Sequence, residues 1–137
     1  HDFGTAQRVC DWLTADSLPP HFRGKNGEFT VFMNPPFSKS EAFVERALEY
    51  NPRKIVCFQK FSWWEGAYDS GKKRGLFWEK HPPSRVYVCG DRADCWRHDI
   101  PRAARKSGTP TAYAWFVWER GHPPGTLLGH IYKGDAA

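Results

Sequence analysis

No stretch of the 137 residues approaches the roughly 18 apolar residues of a membrane-spanning helix, and no secretory leader is visible. Internal repeats and low-complexity tracts are missing too, so neither a solenoid nor a compositionally disordered chain is expected. Cysteine is scarce, and Cys10, Cys57, Cys89 and Cys95 follow no disulfide or zinc spacing. Cys57 and Cys89 sit inside apolar, strand-like runs, where a thiol packs as a small hydrophobe. The grouping of Cys89, Cys95 and His98 lacks the second half of a metal site, so no metal is expected. A cysteine usage of this kind suits a reducing cytoplasm. Acidic residues are outnumbered, 15 against 20 Lys and Arg, giving a net charge of +5. That balance favours an anionic partner, nucleic acid first. The basic residues gather in Lys72-Lys73-Arg74 and in Arg92, Arg97, Arg102, Arg105 and Lys106. A solvated loop is the plainer reading of both clusters.

What is present reads as one α/β domain over residues 1–137. Glu28 to Met33 is a short β-rich run that ends at a Pro-Pro break. Ser38 and Glu41 have the three-residue spacing of a capping box, and Phe43, Val44, Ala47 and Leu48 recur at helical spacing after it. Asn51-Pro52 stops that helix. Lys54 to Phe58 is a second apolar strand, so strand, helix and strand form a βαβ unit with a parallel pairing. Phe61 to Lys80 is expected to be helical in part, Arg85 to Cys89 a third strand, and Arg92 to Thr109 an exposed basic connection. Ala112 to Glu119 is apolar on both sides of the alternation, and Leu127 to Tyr132 is expected at an edge. Together they predict a mixed, mostly parallel sheet with helices on both faces.

Asn34-Pro35-Pro36-Phe37 falls directly after the first strand, where open α/β sheets bind ligands. An Asp/Asn/Ser-Pro-Pro-aromatic sequence arises by chance at roughly 3 in 100,000 positions, or about one chance in a hundred for a chain this long and this rich in proline. Two prolines fix φ and remove two donors, leaving a rigid turn with carbonyl acceptors. The Asn34 side chain adds another acceptor. Two fixed acceptors suit an amino group with two N–H bonds, and Phe37 offers a stacking surface for the ring that carries it. The pattern points to an aromatic amine such as N6 of adenine.

This element resembles the catalytic motif of the amino-methyltransferases that use S-adenosyl-L-methionine. The segments VFMNPPFSKSEAFVERALEY, KIVCFQKFSWWEG, LFWEKHPPSRVYVCGDR and TAYAWFVWERG are similar, in this order, to segments of the bacteriophage-type DNA N6-adenine methyltransferases. The resemblance covers most of Asp11 to Tyr132. It implies a Rossmann-like class I methyltransferase fold, S-adenosyl-L-methionine as cofactor, DNA as partner, and the cytoplasm of a bacterium or phage-infected cell. It further implies that Asn34 and the Pro35 carbonyl accept the two amine protons, that Pro36 holds the turn, and that Phe37 stacks on an extruded base. Asp11, Trp12 and Leu13 resemble the family's cofactor-binding Asp-Phe-Leu, with Asn34 also against the cofactor; Asp11 as a helix cap is the competing reading. Trp63 and Trp64 are candidates for the pocket wall or for packing. Arg92, Arg97, Arg102, Arg105 and Lys106 are candidates for gripping phosphates.

The family's glycine-rich cofactor loop should precede Asp11, and Gly4 alone does not supply it. The expectation is a longer protein, with the loop and the first two strands lying upstream of His1. Three readings follow: a DNA N6-adenine methyltransferase; the same chemistry on an RNA base or a glutamine amide; and a nucleic-acid-binding relative without methyl transfer.

Overall fold

The computed structural model describes residues 11–14, 27–65, 73–91, 101, 104, 111–132 and 134. Five strands, β1 (Thr30–Met33), β2 (Lys54–Lys60), β3 (Arg85–Cys89), β4 (Tyr113–Glu119) and β5 (Leu127–Ile131), form one sheet in the order β1-β2-β4-β3-β5. The helices are α1 (Ser40–Glu49), α2 (Ser62–Glu65) and α3 (Lys73–Lys80), and a 3-10 turn spans Phe37–Lys39. β1 runs parallel to β2, and β5 parallel to β3. β4 is antiparallel to both β2 and β3. Four strands therefore share one direction and β4 opposes them. The chain is α/β with a mixed sheet, compatible with a Rossmann-like arrangement.

Each element follows from its local sequence. β2 alternates half-buried and buried residues along its whole length, as a strand with one covered face must. α1 buries Val44 and Ala47, with Leu48 packed beside them. Asn51 then takes a left-handed φ of 46°, and the amides of Tyr50 and Asn51 bond back to Ala47 and Leu48. That closure ends α1 where Asn51-Pro52 predicted it. Gly27 is needed ahead of β1: at its φ of 77°, a Cβ would lie 2.2 Å from the Asn51 carbonyl oxygen.

The strand register places Val31 and Met33, Ile55, Cys57 and Gln59, Val86 and Val88, and Ala114, Phe116 and Trp118 on one face. All three described helices pack there. Trp63 of α2 is fully buried at the centre, with ring centroids 4.7 Å from Trp78, 5.0 Å from Phe116 and 5.7 Å from Phe77. The buried indoles are satisfied as well as packed: Trp78 donates to the Trp63 carbonyl and Trp118 to the His81 carbonyl.

The expectation of helices on both faces is not met among the described residues. The opposite face leaves Phe32 71%, Ile131 42% and Tyr87 37% exposed. The apolar content of β4 that suggested double coverage is instead used in side-by-side packing on the sheet surface. Phe58 stacks on Tyr113 at 5.2 Å and meets Trp115 at 4.7 Å. On this same face Glu119 holds Lys54 at 3.1 Å and also pairs with Arg85. Hydrogen bonds from Arg85 first, and then from Lys54, keep the Glu119 carboxyl below its ordinary range.

Candidate functional site

The turn after β1 is neither sealed nor free. Asn34 and Pro36 are exposed, Phe37 is half-buried and Pro35 is buried. Pro36 has the extended conformation φ −55°, ψ 134° that a proline ring favours, and the 3-10 turn starts immediately after it. The Ser38–Glu41 capping box does not form. The N-terminus of α1 carries no side-chain cap, and Glu41 turns away to accept hydrogen bonds from Trp63 Nε1 at 3.0 Å and Arg74 Nε at 2.8 Å. Two fixed long-range donors outcompete a local amide.

Ser40 takes over the task of tying the turn to the helix. Its fully buried hydroxyl reaches the carbonyls of Pro36 and Phe37, both at 3.2 Å. From beneath, Gln59 near the end of β2 donates through Nε2 to the Pro35 carbonyl and to Ser40 Oγ, each at 2.8 Å. Gln59 Oε1 accepts the Lys60 amide at 3.0 Å, so every one of these contacts agrees with a single orientation of the side-chain amide. Gln59 is 4% exposed, and a buried polar group with all its partners in place is a rigid one.

The prolines' carbonyls are therefore engaged from within. Pro36 O takes the Lys39 amide and the Ser40 hydroxyl. Among the described residues Pro35 O takes Gln59 alone. The exposed groups at the carboxyl end of β1 are then the Asn34 side chain and, in part, the ring of Phe37.

Two cations lie against that ring. The Arg74 guanidinium is 5.1 Å from its centroid and the Lys60 ammonium 5.5 Å. Both distances are within cation–π range. Sequence reading missed Gln59, Lys60 and Arg74 as site residues. For Gln59 a signal existed: in KIVCFQK it is the polar residue at a position whose alternation points to the core.

Trp63 does not line an opening, because its ring is wholly inside the core. Trp64 is half-buried, edge-on to Phe61 at 6.1 Å and to Phe116 at 6.4 Å. It is packed on the core margin rather than standing free. Asp11 is exposed, and its Oδ1 accepts the Leu13 amide at 3.0 Å, a local turn bond of the kind a capping aspartate makes. Trp12 donates from Nε1 to the Phe43 carbonyl at 3.2 Å and packs on Tyr50 at 5.9 Å, so this segment lies along α1. Arg92, Arg97, Arg102, Arg105 and Lys106 lie outside the described residues, as do Cys10, Cys95 and His98.

Two concavities lined by described residues lie away from the turn. One of about 320 Å³ sits between Pro52, His81, Pro83 and Trp118 at the opposite ends of the strands. The other, about 610 Å³, is the trough over Phe32, Val56, Tyr87 and Trp115 on the uncovered sheet face. Among the described residues no group of three or more His, Cys, Asp or Glu could hold a metal ion, and no helix is long and apolar enough to cross a membrane. Burial pushes the Cys57 thiol up to about 12, which makes it an inert packing group. No family model, curated protein or solved structure matches the chain.

Proposed function

We propose that the chain is the amine-binding part of an S-adenosyl-L-methionine-dependent methyltransferase acting on N6 of adenine in DNA. The observation that supports this most is the turn itself: an exposed Asn34, then a Pro35 carbonyl locked by Gln59, then a half-exposed aromatic ring. The sheet is in keeping with it. β1, β2 and β3 share a direction and follow chain order across the sheet, with β4 wedged between the last two. Such an order suits one half of a doubly wound, class I methyltransferase-type fold, whose ligands sit beyond the carboxyl ends of the strands.

In this reading Asn34 Oδ1 and Pro35 O each accept one N–H of the exocyclic amine, directing its lone pair away from the ring. Phe37 covers the extruded base. Flipping the base costs a few kcal/mol. One aromatic stack returns about 1–3 kcal/mol, and two hydrogen bonds contribute about 1 kcal/mol each. The remaining affinity must come from phosphate contacts. No covalent nucleophile is required, since positioning and electrostatics at one nitrogen suffice.

The cofactor supplies an electrophilic methyl group when bound. Of the residues that the resemblance assigns to it, Asp11 fits best: it is exposed and uses Oδ1 on its own turn. Its second oxygen makes no described bond and can accept an amine. Trp12 can pack on a ring only with the part of its surface that Tyr50 and the Phe43 carbonyl leave open.

The test is methyl incorporation from labelled cofactor into unmethylated duplex DNA, RNA and a protein acceptor, with Asn34→Ala alongside. Incorporation into DNA that disappears in Asn34→Ala is the expected result. An active Asn34→Ala protein, or labelling confined to protein, would overturn the reading.

A further inference from the structure

We propose that β5 is a self-recognition edge, through which two copies of the chain pair antiparallel about a two-fold axis at Gly129 and join their sheets into one. The inference concerns an interaction surface and does not depend on the reading of the turn after β1.

β5 ends the sheet and, among the described residues, has β3 as its only neighbouring strand. Two bonds fix which of its groups face inward. The Leu127 amide donates to the Ser84 carbonyl, and the Ile131 carbonyl accepts the Gly90 amide. Residues of an edge strand bond their one neighbour alternately, so Leu127, Gly129 and Ile131 face β3. The N–H and C=O groups of Leu128 and His130 therefore point away from the sheet.

Edges of this kind are ordinarily blunted by a lysine, a proline, a bulge or an inward charge. The sequence LLGHI has no lysine, no proline and no acidic or arginine side chain. Leu127 is 59% exposed, Leu128 61% and Ile131 42%. Leu127 and Ile131 stand on the uncovered sheet face and Leu128 on the other, so the edge is apolar on both sides.

The symmetry of the strand identifies the occupant. Pairing two β5 strands about Gly129 sets Leu128 opposite His130 of the second copy, and all the outward groups of both residues enter backbone hydrogen bonds. Leu127 then opposes Ile131 of the second copy on each side of the axis, at the non-hydrogen-bonded positions where side chains come closest. Gly129 meets its own counterpart and brings no side chain to the axis. Tyr87 already fills that space, with Cδ1 3.2 Å from where a Cβ would stand.

Charge points the same way. No residue from Leu127 to Tyr132 is Lys, Arg, Asp or Glu, in a chain of net charge +5. Two copies that repel one another elsewhere can meet here, whereas a nucleic acid would find no cation to hold. β1 lies at the far edge of the sheet, so the pairing leaves the turn after it open in both copies. The contact is isologous and small, and the dimer is expected to be a weak one.

The experiment is sedimentation velocity of the whole protein across a wide range of concentration, with the fold of each variant checked by circular dichroism. The wild type should pass from monomer to dimer as concentration rises. Leu127→Lys and Ile131→Glu should each raise the dimerisation midpoint about tenfold or more, because a lone charge would face an apolar side chain across the seam. Both replaced side chains are exposed, so neither change disturbs the core. Mixed in equal amounts, the two variants should dimerise again, since the register sets the new lysine of one copy opposite the new glutamate of the other. His130→Pro should also stay monomeric, because it removes an amide hydrogen that β3 does not use.

A wild type that remains monomeric at every concentration overturns the proposal and leaves the edge to a strand from another protein. Dimerisation that survives both Leu127→Lys and His130→Pro overturns it too, by placing the contact elsewhere on the molecule. Single variants that stay monomeric when mixed overturn the two-fold pairing at Gly129.

Discussion

Gln59 Nε2 lies 2.8 Å from the carbonyl oxygen of Pro35, twenty-four residues earlier in the chain. The contact ties the end of the second strand to the turn that ends the first. A Pro-Pro turn is stiff along its own backbone, but its placement relative to the sheet needs a tether, and Gln59 with Ser40 supplies one. Replacing Gln59 by Leu leaves a buried carbonyl without a donor. The expected cost is about 1–3 kcal/mol, read as a lower urea midpoint at constant slope, with methyl transfer reduced as well. An unchanged midpoint would show that the tether does not fix the turn.

Phe37 separates stacking from simple bulk. Phe37→Trp should keep partial methyl transfer and Phe37→Ala should lose most of it, because an indole still offers a flat face and a methyl group does not. Equal loss in both variants would count against a stacked base.

The neighbouring tryptophans should behave differently. Trp63→Ala removes a fully buried ring from the centre of the core and should destabilise the fold by about 3–5 kcal/mol. Trp64→Ala should cost clearly less, because that ring is half-exposed at the core margin. Chemical denaturation of both variants decides it, and similar losses would contradict the observed packing.

Cys57 should be silent to thiol reagents in the native protein. It is fully buried and burial holds its thiol near 12, so at pH 8 almost none is thiolate. Alkylation followed by peptide mass analysis should label Cys57 only after denaturant is added. Labelling of the folded protein would mean that the core opens far more readily than its packing implies.

Glu119 predicts a pH dependence of stability. Its carboxyl is depressed below the ordinary 4.5 by Arg85 and Lys54. A depressed carboxyl stabilises the fold fully above the unfolded value and loses that contribution as pH falls through the lower folded value. Glu119→Gln should therefore weaken the protein at pH 7, and the difference from wild type should shrink below about pH 4.5. Thermal melts across pH 3–7 test this, and a gap that stays constant would exclude the linkage.

The elements legible in the sequence were those whose cause is local. Apolar runs located β2 and β4, Asn51-Pro52 ended α1, and Pro35-Pro36 marked the end of β1. What escaped was decided over distance. Glu41 has capping spacing to Ser38, but a tryptophan and an arginine from later segments claim its carboxylate, and nothing in S-K-S-E announces them. Trp63 and Trp64 are adjacent, and only the direction of a one-turn helix assigns the first to the core and the second to its margin. Lys60 and Arg74 became neighbours only once β2 and α3 had both been set against Phe37. The aromatic richness of β4 suggested two covered faces because composition cannot tell burial by a helix from lateral packing of rings on a sheet.

Consecutive residues of β2 serve the turn from opposite sides: Gln59 points inward to the carbonyl and hydroxyl, while Lys60 points outward to the ring. Because side chains alternate along a strand, inserting or deleting one residue ahead of them would exchange the two roles at a stroke. The length of this strand thus decides which side chain reaches the carbonyl and which the ring, a dependence that point substitutions cannot reveal and that single-residue indels would expose.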